Sequence, residues 1–134
     1  MSRKSRRVAI VGSTTFPLTP EIGAEVVDIM RGYPDGTVFL TRGSSGFDTF
    51  ISRASDIIGR TCVLYPSPGG SRNWDRDVAL VKDADEVLLF FDPASLHDPN
   101  TGTAHVGEKA LDQRKKVMAY SVANERLIYA GSSE

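Results

Sequence analysis

Residues 101 to 108, TGTAHVGE, follow the most apolar run of the chain, VLLFF at 87 to 91. A glycine between two threonines, with a glutamate a few residues on, has the makings of a loop that holds a phosphate beside a group able to act on the attached sugar. Two other runs share this character: GSTT (12 to 15), after RVAIV, and GSSGFD (43 to 48), after TVFLT. Glycine lets the backbone approach a ligand closely, hydroxyls and N–H groups donate, and a helix N-terminus favours an anion. Gly12, Ser13, Thr14, Thr15, Gly43, Ser44, Ser45, Gly46, Gly102 and Thr103 are therefore candidate ligand-binding residues. Strand-to-helix turns use glycine and serine in any case, but three such runs in one short chain favour an anion or nucleotide site. The first run lacks G-x-G-x-x-G, and no G-x-x-x-x-G-K-[ST] occurs, which excludes an ATPase P-loop.

Charged residues stand near the same junctions. Asp48 opens a helical segment and Asp92 ends an apolar run, so either can accept hydrogen bonds from ribose hydroxyls. Alternatively, Asp48 favours its helix N-terminus and Asp92-Pro93 starts a turn. Arg76 can grip a phosphate bidentately or lie solvated on the surface. Trp74 can stack on a base or anchor a loop to the core. His97 and His105 do not have the spacing with acids that a zinc site needs, so no metal and no cofactor are expected. The single cysteine, Cys62, lies in TCVLY and reads as inert core. With no G-x-S-x-G elbow, a nucleophilic triad has no basis.

These residues need a scaffold, and 134 residues with 40% hydrophobic and 25% charged content suffice for one globular domain. No apolar run approaches the roughly 20 residues that span a bilayer, so a soluble, cytoplasmic protein with no membrane partner is expected. The first seven residues, MSRKSRR, hold four of the 16 bases and read as a disordered tail, with the domain covering 8 to 134. The remainder has 12 bases against 17 acids. A net acidic body disfavours nucleic acid as a partner.

Strand-length apolar runs alternate with segments of helical period, the pattern of repeated βα units. RVAIV, TVFLT, TCVLY, EVLLFF and KVMAYSV read as five strands, and RLIYA as a short edge addition. Helices are expected in TPEIGAEVVDIM, with Thr19 as N-cap and Pro20 first, and from about Phe47 to Ile58, closed by Gly59. Two more lie in DRDVALVKDAD, with Val78, Val81 and Ala84 inward, and in TAHVGEKALDQR. PSPGGSRN is the least regular stretch, and DPASLHDPNTG reads as a long loop. The fold class is α/β: a mostly parallel sheet of about five strands with helices on both faces and the ligand site at the strand C-termini.

The order VGSTTF, GSSGFD, RDVALVKDADEVLLFFD, TGTAH resembles the SLOG superfamily, the Rossmann-like domains named for the Smf/DprA and Lonely Guy proteins. The likeness is to small single-domain members with the pattern V-G-S-R-x-F, G-G-A-R-G-x-D, R-N-x6-A-D and G-T, and runs from Val8 to Val122. It implies a three-layer Rossmann-like fold. It also implies a nucleotide or nucleotide-derived ligand at Gly12, Ser13, Gly43, Gly46, Asp48, Arg76, Gly102 and Thr103, and a homodimer, which the apolar helix faces permit. Such members sense signalling nucleotides, release a base from a nucleoside monophosphate, or bind single-stranded DNA, for which SRKSRR would serve here.

The chain departs from that pattern. Thr14 and Ser45 replace arginines, Arg42 replaces a glycine and Asp77 an asparagine, which implies a less charged or differently oriented ligand. The base-releasing members carry P-G-G-x-G-T-x-x-E and an arginine that Arg76 matches, so Arg76 and Glu108 are the candidate catalytic residues. Yet Val106 stands at the glutamate position and Glu108 comes two residues later, rotated by about 200° on a helix. His105 is about 100° off and is a candidate for proton transfer. The expected function is therefore binding, in a sensing or sequestering role, with N-glycosidic hydrolysis as the alternative.

Overall fold

A computed structural model of the protein describes residues 5–43, 46–65, 74–93 and 98–133. The elements are β1 (Arg7–Gly12), α1 (Pro20–Arg31), β2 (Val38–Thr41), α2 (Phe47–Ile57), β3 (Thr61–Leu64), α3 (Trp74–Asp83), β4 (Glu86–Phe90), α4 (Asp98–Asp112), β5 (Lys116–Ala123) and β6 (Arg126–Ser132). They form one sheet in the order β3-β2-β1-β4-β5-β6, parallel except for β6. The chain winds outward from β1 to β3 and then returns to place β4 on the other side of β1. That reversal opens a crevice at the C-terminal ends of β1 and β4.

Alternating side chains of the central strands feed two cores. Val8, Ile10, Leu88 and Phe90 pack with α1 and α2 through Ile22, Val26, Met30, Phe47 and Ile51. Ala9, Val11, Val87 and Leu89 pack with α3 and α4 through Leu80, Val81, Val106 and Ala110. The result is the three-layer, Rossmann-like α/β arrangement expected of strands apolar on both faces. No helix among the described residues is long and apolar enough to cross a membrane.

Local chemistry explains the element ends. Thr19 accepts the Ile22 N–H at 3.2 Å and Pro20 supplies the first helical residue of α1. Gly59 follows α2 at φ 74°, a left-handed position suited to glycine. At the N-terminal edge of the sheet, buried Glu86 accepts from Arg6 at 2.8 Å and from the Tyr33 hydroxyl at 2.7 Å. Burial and the Glu86 charge together raise the Tyr33 hydroxyl pKa. Arg6 and Arg7 are thus tied to the sheet, so only residues 1 to 4 of the basic run lie outside the described residues.

The strand count is six, one more than the five principal runs. RLIYA extends to Ser132 and pairs antiparallel with β5 across a turn at Asn124 and Glu125, both at positive φ, as in hairpin turns of the I′ kind. Its register with β5 slips opposite Ala119 and Tyr120, leaving a bulge at Ala130. Arg126 and the Leu127 N–H bond the Glu25 carboxylate of α1, and these hydrogen bonds lower its pKa.

Two helices differ from expectation in ways that bear on the site. In α3, Val78 is 39% exposed while Asp77, Leu80, Val81 and Ala84 are buried. The inward stripe keeps Val81 and Ala84 as expected but takes Asp77 and Leu80 in place of Val78, with a carboxylate at a core-facing position. In α4, the helix begins at Asp98, so Gly102 and Thr103 lie inside it and not in a strand-to-helix loop.

Gly12 also has a packing role. A Cβ there would lie 2.4 Å from the Phe47 ring, which is itself in contact with Phe16 and Phe90 at centroid separations of 5.2 and 5.0 Å. Gly12→Ala is expected to destabilise the domain by about 1–3 kcal/mol through overpacking, read as a lower urea midpoint at unchanged slope.

Candidate functional site

At the reversal point the loops after β1 and β4 are joined. The Ser13 N–H donates to the Phe90 carbonyl at 2.9 Å, and the Phe16 N–H to the Ser13 carbonyl at 3.1 Å, closing a tight turn. Within it the Thr15 N–H reaches the Ser13 hydroxyl at 3.3 Å. The Thr15 hydroxyl donates to Asp92 at 2.6 Å, a short charge-assisted bond. Ser13 and Asp92 are buried, whereas Thr14 and Thr15 are exposed. The rim therefore offers a carboxylate already oriented by a hydroxyl, a pair able to meet a sugar diol.

The next loop holds a group that motif reading noted only as a departure. Arg42, at the end of β2, is 5% exposed. Its Nη2 donates to the Gly12 carbonyl at 2.6 Å, and its Nε lies 3.4 Å from Asp48 Oδ2. Its Nη1 rests against Gly102 of α4, where a Cβ would stand 2.8 Å away. One guanidinium thereby spans β1, the first turn of α2 and α4. Gly43 and Gly46, at φ 80° and 67°, hold positive φ values that favour glycine between Arg42 and Asp48. Ser44 and Ser45 lie outside the described residues. Asp48, read as a ribose acceptor or a helix-end charge, serves first as the counter-ion of Arg42. The legible signal was an arginine directly after a strand, beside a glycine.

Thr103 follows Gly102 on α4 and is fully buried, yet among the described residues its hydroxyl has no hydrogen-bond partner. A buried unsatisfied hydroxyl costs about 1–3 kcal/mol, so a group that bonded it would recover that cost. Its helical position means that it contributes a side chain, not a loop N–H.

A second charged group lies between α3 and α4. Asp77, 2% exposed, faces Arg76 Nε at 3.1 Å through one oxygen and His105 Nδ1 at 2.8 Å through the other. Arg76 is thus neither a solvated surface arginine nor an uncommitted phosphate clamp. Asp77 was noted only as a departure from the family pattern, because a carboxylate was not expected at an inward helix position. An imidazole oriented by a buried carboxylate has the geometry of a proton-transfer group. Gly102 and His105 are one turn apart on α4, so this helix carries both the Arg42 contact and the Asp77 contact.

Other candidates are not brought into the crevice. Glu108 is exposed, about 140° around α4 from Thr103 and 200° from buried Val106. His97 lies outside the described residues, as do the side chain of Trp74 and residues 66 to 73. Among the described residues no group of three or more histidine, cysteine or acidic side chains is placed to hold a metal. Cys62 is half-buried on edge strand β3, packed against the core, and burial pushes its thiol pKa up.

Asp77→Ala is expected to cost about 3–5 kcal/mol, because it strands the buried Arg76 guanidinium. The Arg76→Ala/Asp77→Ala pair should cost clearly less than the sum of the single changes, and urea unfolding of the four-protein cycle measures the difference. In comparisons with known proteins, no family model matches the chain and no curated protein matches it.

Proposed function

We propose that the crevice at the C-terminal ends of β1 and β4 binds a nucleotide or a nucleotide-derived phosphorylated ribose ligand, in a sensing or sequestering role. The observation that carries this reading is Arg42: a buried guanidinium fixed at Gly12 and Asp48 and set against the bare α-carbon of Gly102. Burying a cation at this point of an open α/β sheet is costly, and a position beside strand-end turns, hydroxyls and a glycine that no side chain can replace without displacing it suits ligand recognition. In this reading Ser13 and the turns at Gly43 and Gly46 supply donors, Thr15 and Asp92 meet ribose hydroxyls, and Thr103 supplies a further hydroxyl. The motif order shared with SLOG domains supports the same reading.

Hydrolysis of the N-glycosidic bond is a second reading, and Asp77-bound His105 is the observation in its favour. It does not draw on Glu108, which is exposed.

Thermal denaturation with AMP, CMP and their cyclic and ADP-ribosyl relatives tests binding, since a ligand held only by the folded state raises its melting temperature. Saturating ligand at about 100 times Kd adds about 2.7 kcal/mol, a rise of several degrees in a domain of this size. Gly102→Ala, which displaces Arg42, is expected to remove most of the rise. A flat response across the panel would falsify the proposal. Chromatography of the same mixtures for released base, compared with His105→Asn, decides whether the second reading holds.

A further inference from the structure

Strand β6 brings an aromatic side chain to the surface beside α1. Tyr129 of β6 is directly opposed to Tyr120 of β5 in the antiparallel ladder, with ring centroids 5.6 Å apart and planes at 66°. Tyr120 in turn lies flat on Phe90, at 4.9 Å and 11°, and Phe90 packs against Phe16 and Phe47 in the core. The row of rings therefore runs from a rigid interior to the surface, where Tyr129 is 56% exposed. A cross-strand aromatic pair stabilises a hairpin in its own right. These two rings also wall a cavity of about 350 Å³, bounded further by Glu25, Asp28 and Ile29 of α1 and by Leu127 of β6.

Among the described residues, the charged groups lining this cavity are Glu25, Asp28 and Arg126, and two of them satisfy each other. Arg126 donates to Glu25 Oε1 through Nε at 3.0 Å and Nη2 at 2.9 Å, and the Leu127 N–H donates to Oε2 at 3.2 Å. This clamp fixes the hairpin on α1 and occupies the cation of the lining. Asp28, one turn from Glu25 on the same helix, is exposed and forms no hydrogen bond or ion pair among the described residues. The elements that build the cavity, α1, β5 and β6, are described at every residue.

Two rings at a steep angle beside an unpaired carboxylate suit one kind of ligand. The face of an aromatic ring is negative and attracts a cation placed over it, and the carboxylate adds its own charge to that attraction. The steep angle leaves a corner for a rounded group, not a slot for a flat ring. We propose that this cavity binds a small organic ammonium ion, its nitrogen over the Tyr129 ring and beside Asp28 and its alkyl groups against Ile29 and Leu127. The site shares no residue with the strand-end crevice and stands independently of the reading given for it.

The test is a titration of isotope-labelled native protein with choline chloride, read from backbone amide and tyrosine-ring chemical shifts at one fixed ionic strength. The control probe is the carbon analogue of choline, an uncharged alcohol of the same shape. Choline is expected to give saturable shifts centred on Asp28, Ile29 and Tyr129, with an affinity at least about tenfold above that of the alcohol. Asp28→Asn and Tyr129→Leu, both at exposed positions, are each expected to weaken choline binding several-fold, whereas Tyr129→Phe, which keeps the ring, is expected to retain it. Equal affinity for the two probes, shifts that fail to saturate or centre elsewhere, or binding indifferent to both Asp28→Asn and Tyr129→Leu would each overturn the proposal.

Discussion

A guanidinium taken out of water must be paid for by partners, and the partners of Arg42 hold the upper end of this molecule together. Its contacts reach the last residue of β1, the first turn of α2 and the second turn of α4. These elements are far apart in sequence, and each is aligned by a different face of one planar group. The crevice is therefore defined less by loop flexibility than by a rigid cation with fixed donor directions. Lysine would supply the charge without that geometry.

Helix α4 transmits the same constraint further. A glycine inside a helix costs about 1 kcal/mol relative to alanine, and Gly102 is retained where any side chain would collide with Arg42. One turn on, His105 meets Asp77, so the pose of α4 is set at two points by charged groups and along its length by Val106 and Ala110 in the core. Gly107 packs so closely that a Cβ would stand 2.8 Å from Leu89. Small residues on this helix thus let it lie near both the sheet and the guanidinium, and chemistry and packing share one surface.

The fold was legible where apolar pattern and end signals agreed. β1 and β4 are continuous apolar runs buried on both faces, and Thr19-Pro20 marks the start of α1 without ambiguity. Reading failed where a polar residue does what pattern assigns to an apolar one. Asp77 faces inward because Arg76 and His105 compensate it, so periodicity that counts only apolar residues chose Val78 in its place while placing Val81 and Ala84 correctly. The start of α4 was missed because Asp, Pro, Asn and Gly together resemble a turn, although proline in the first helical turn is compatible with helix. Of the candidate site, Ser13, Asp48, Asp92, Gly102 and Thr103 were singled out from residue type and position. The role of Arg42 was not, because it depends on three elements that only the folded chain brings together.

The hairpin at the far side of the sheet carries a consequence for how the molecule behaves among copies of itself. Strand β6 is seven residues long and forms the outer edge of the sheet beside β5, and a long edge is a template on which another chain can add. Here the ladder is broken by the bulge at Ala130, and the first residue of the strand is a charged arginine anchored to α1. A strand added at this edge would meet the bulge and the anchored arginine, so the β6 side of the sheet is a poor template for further pairing.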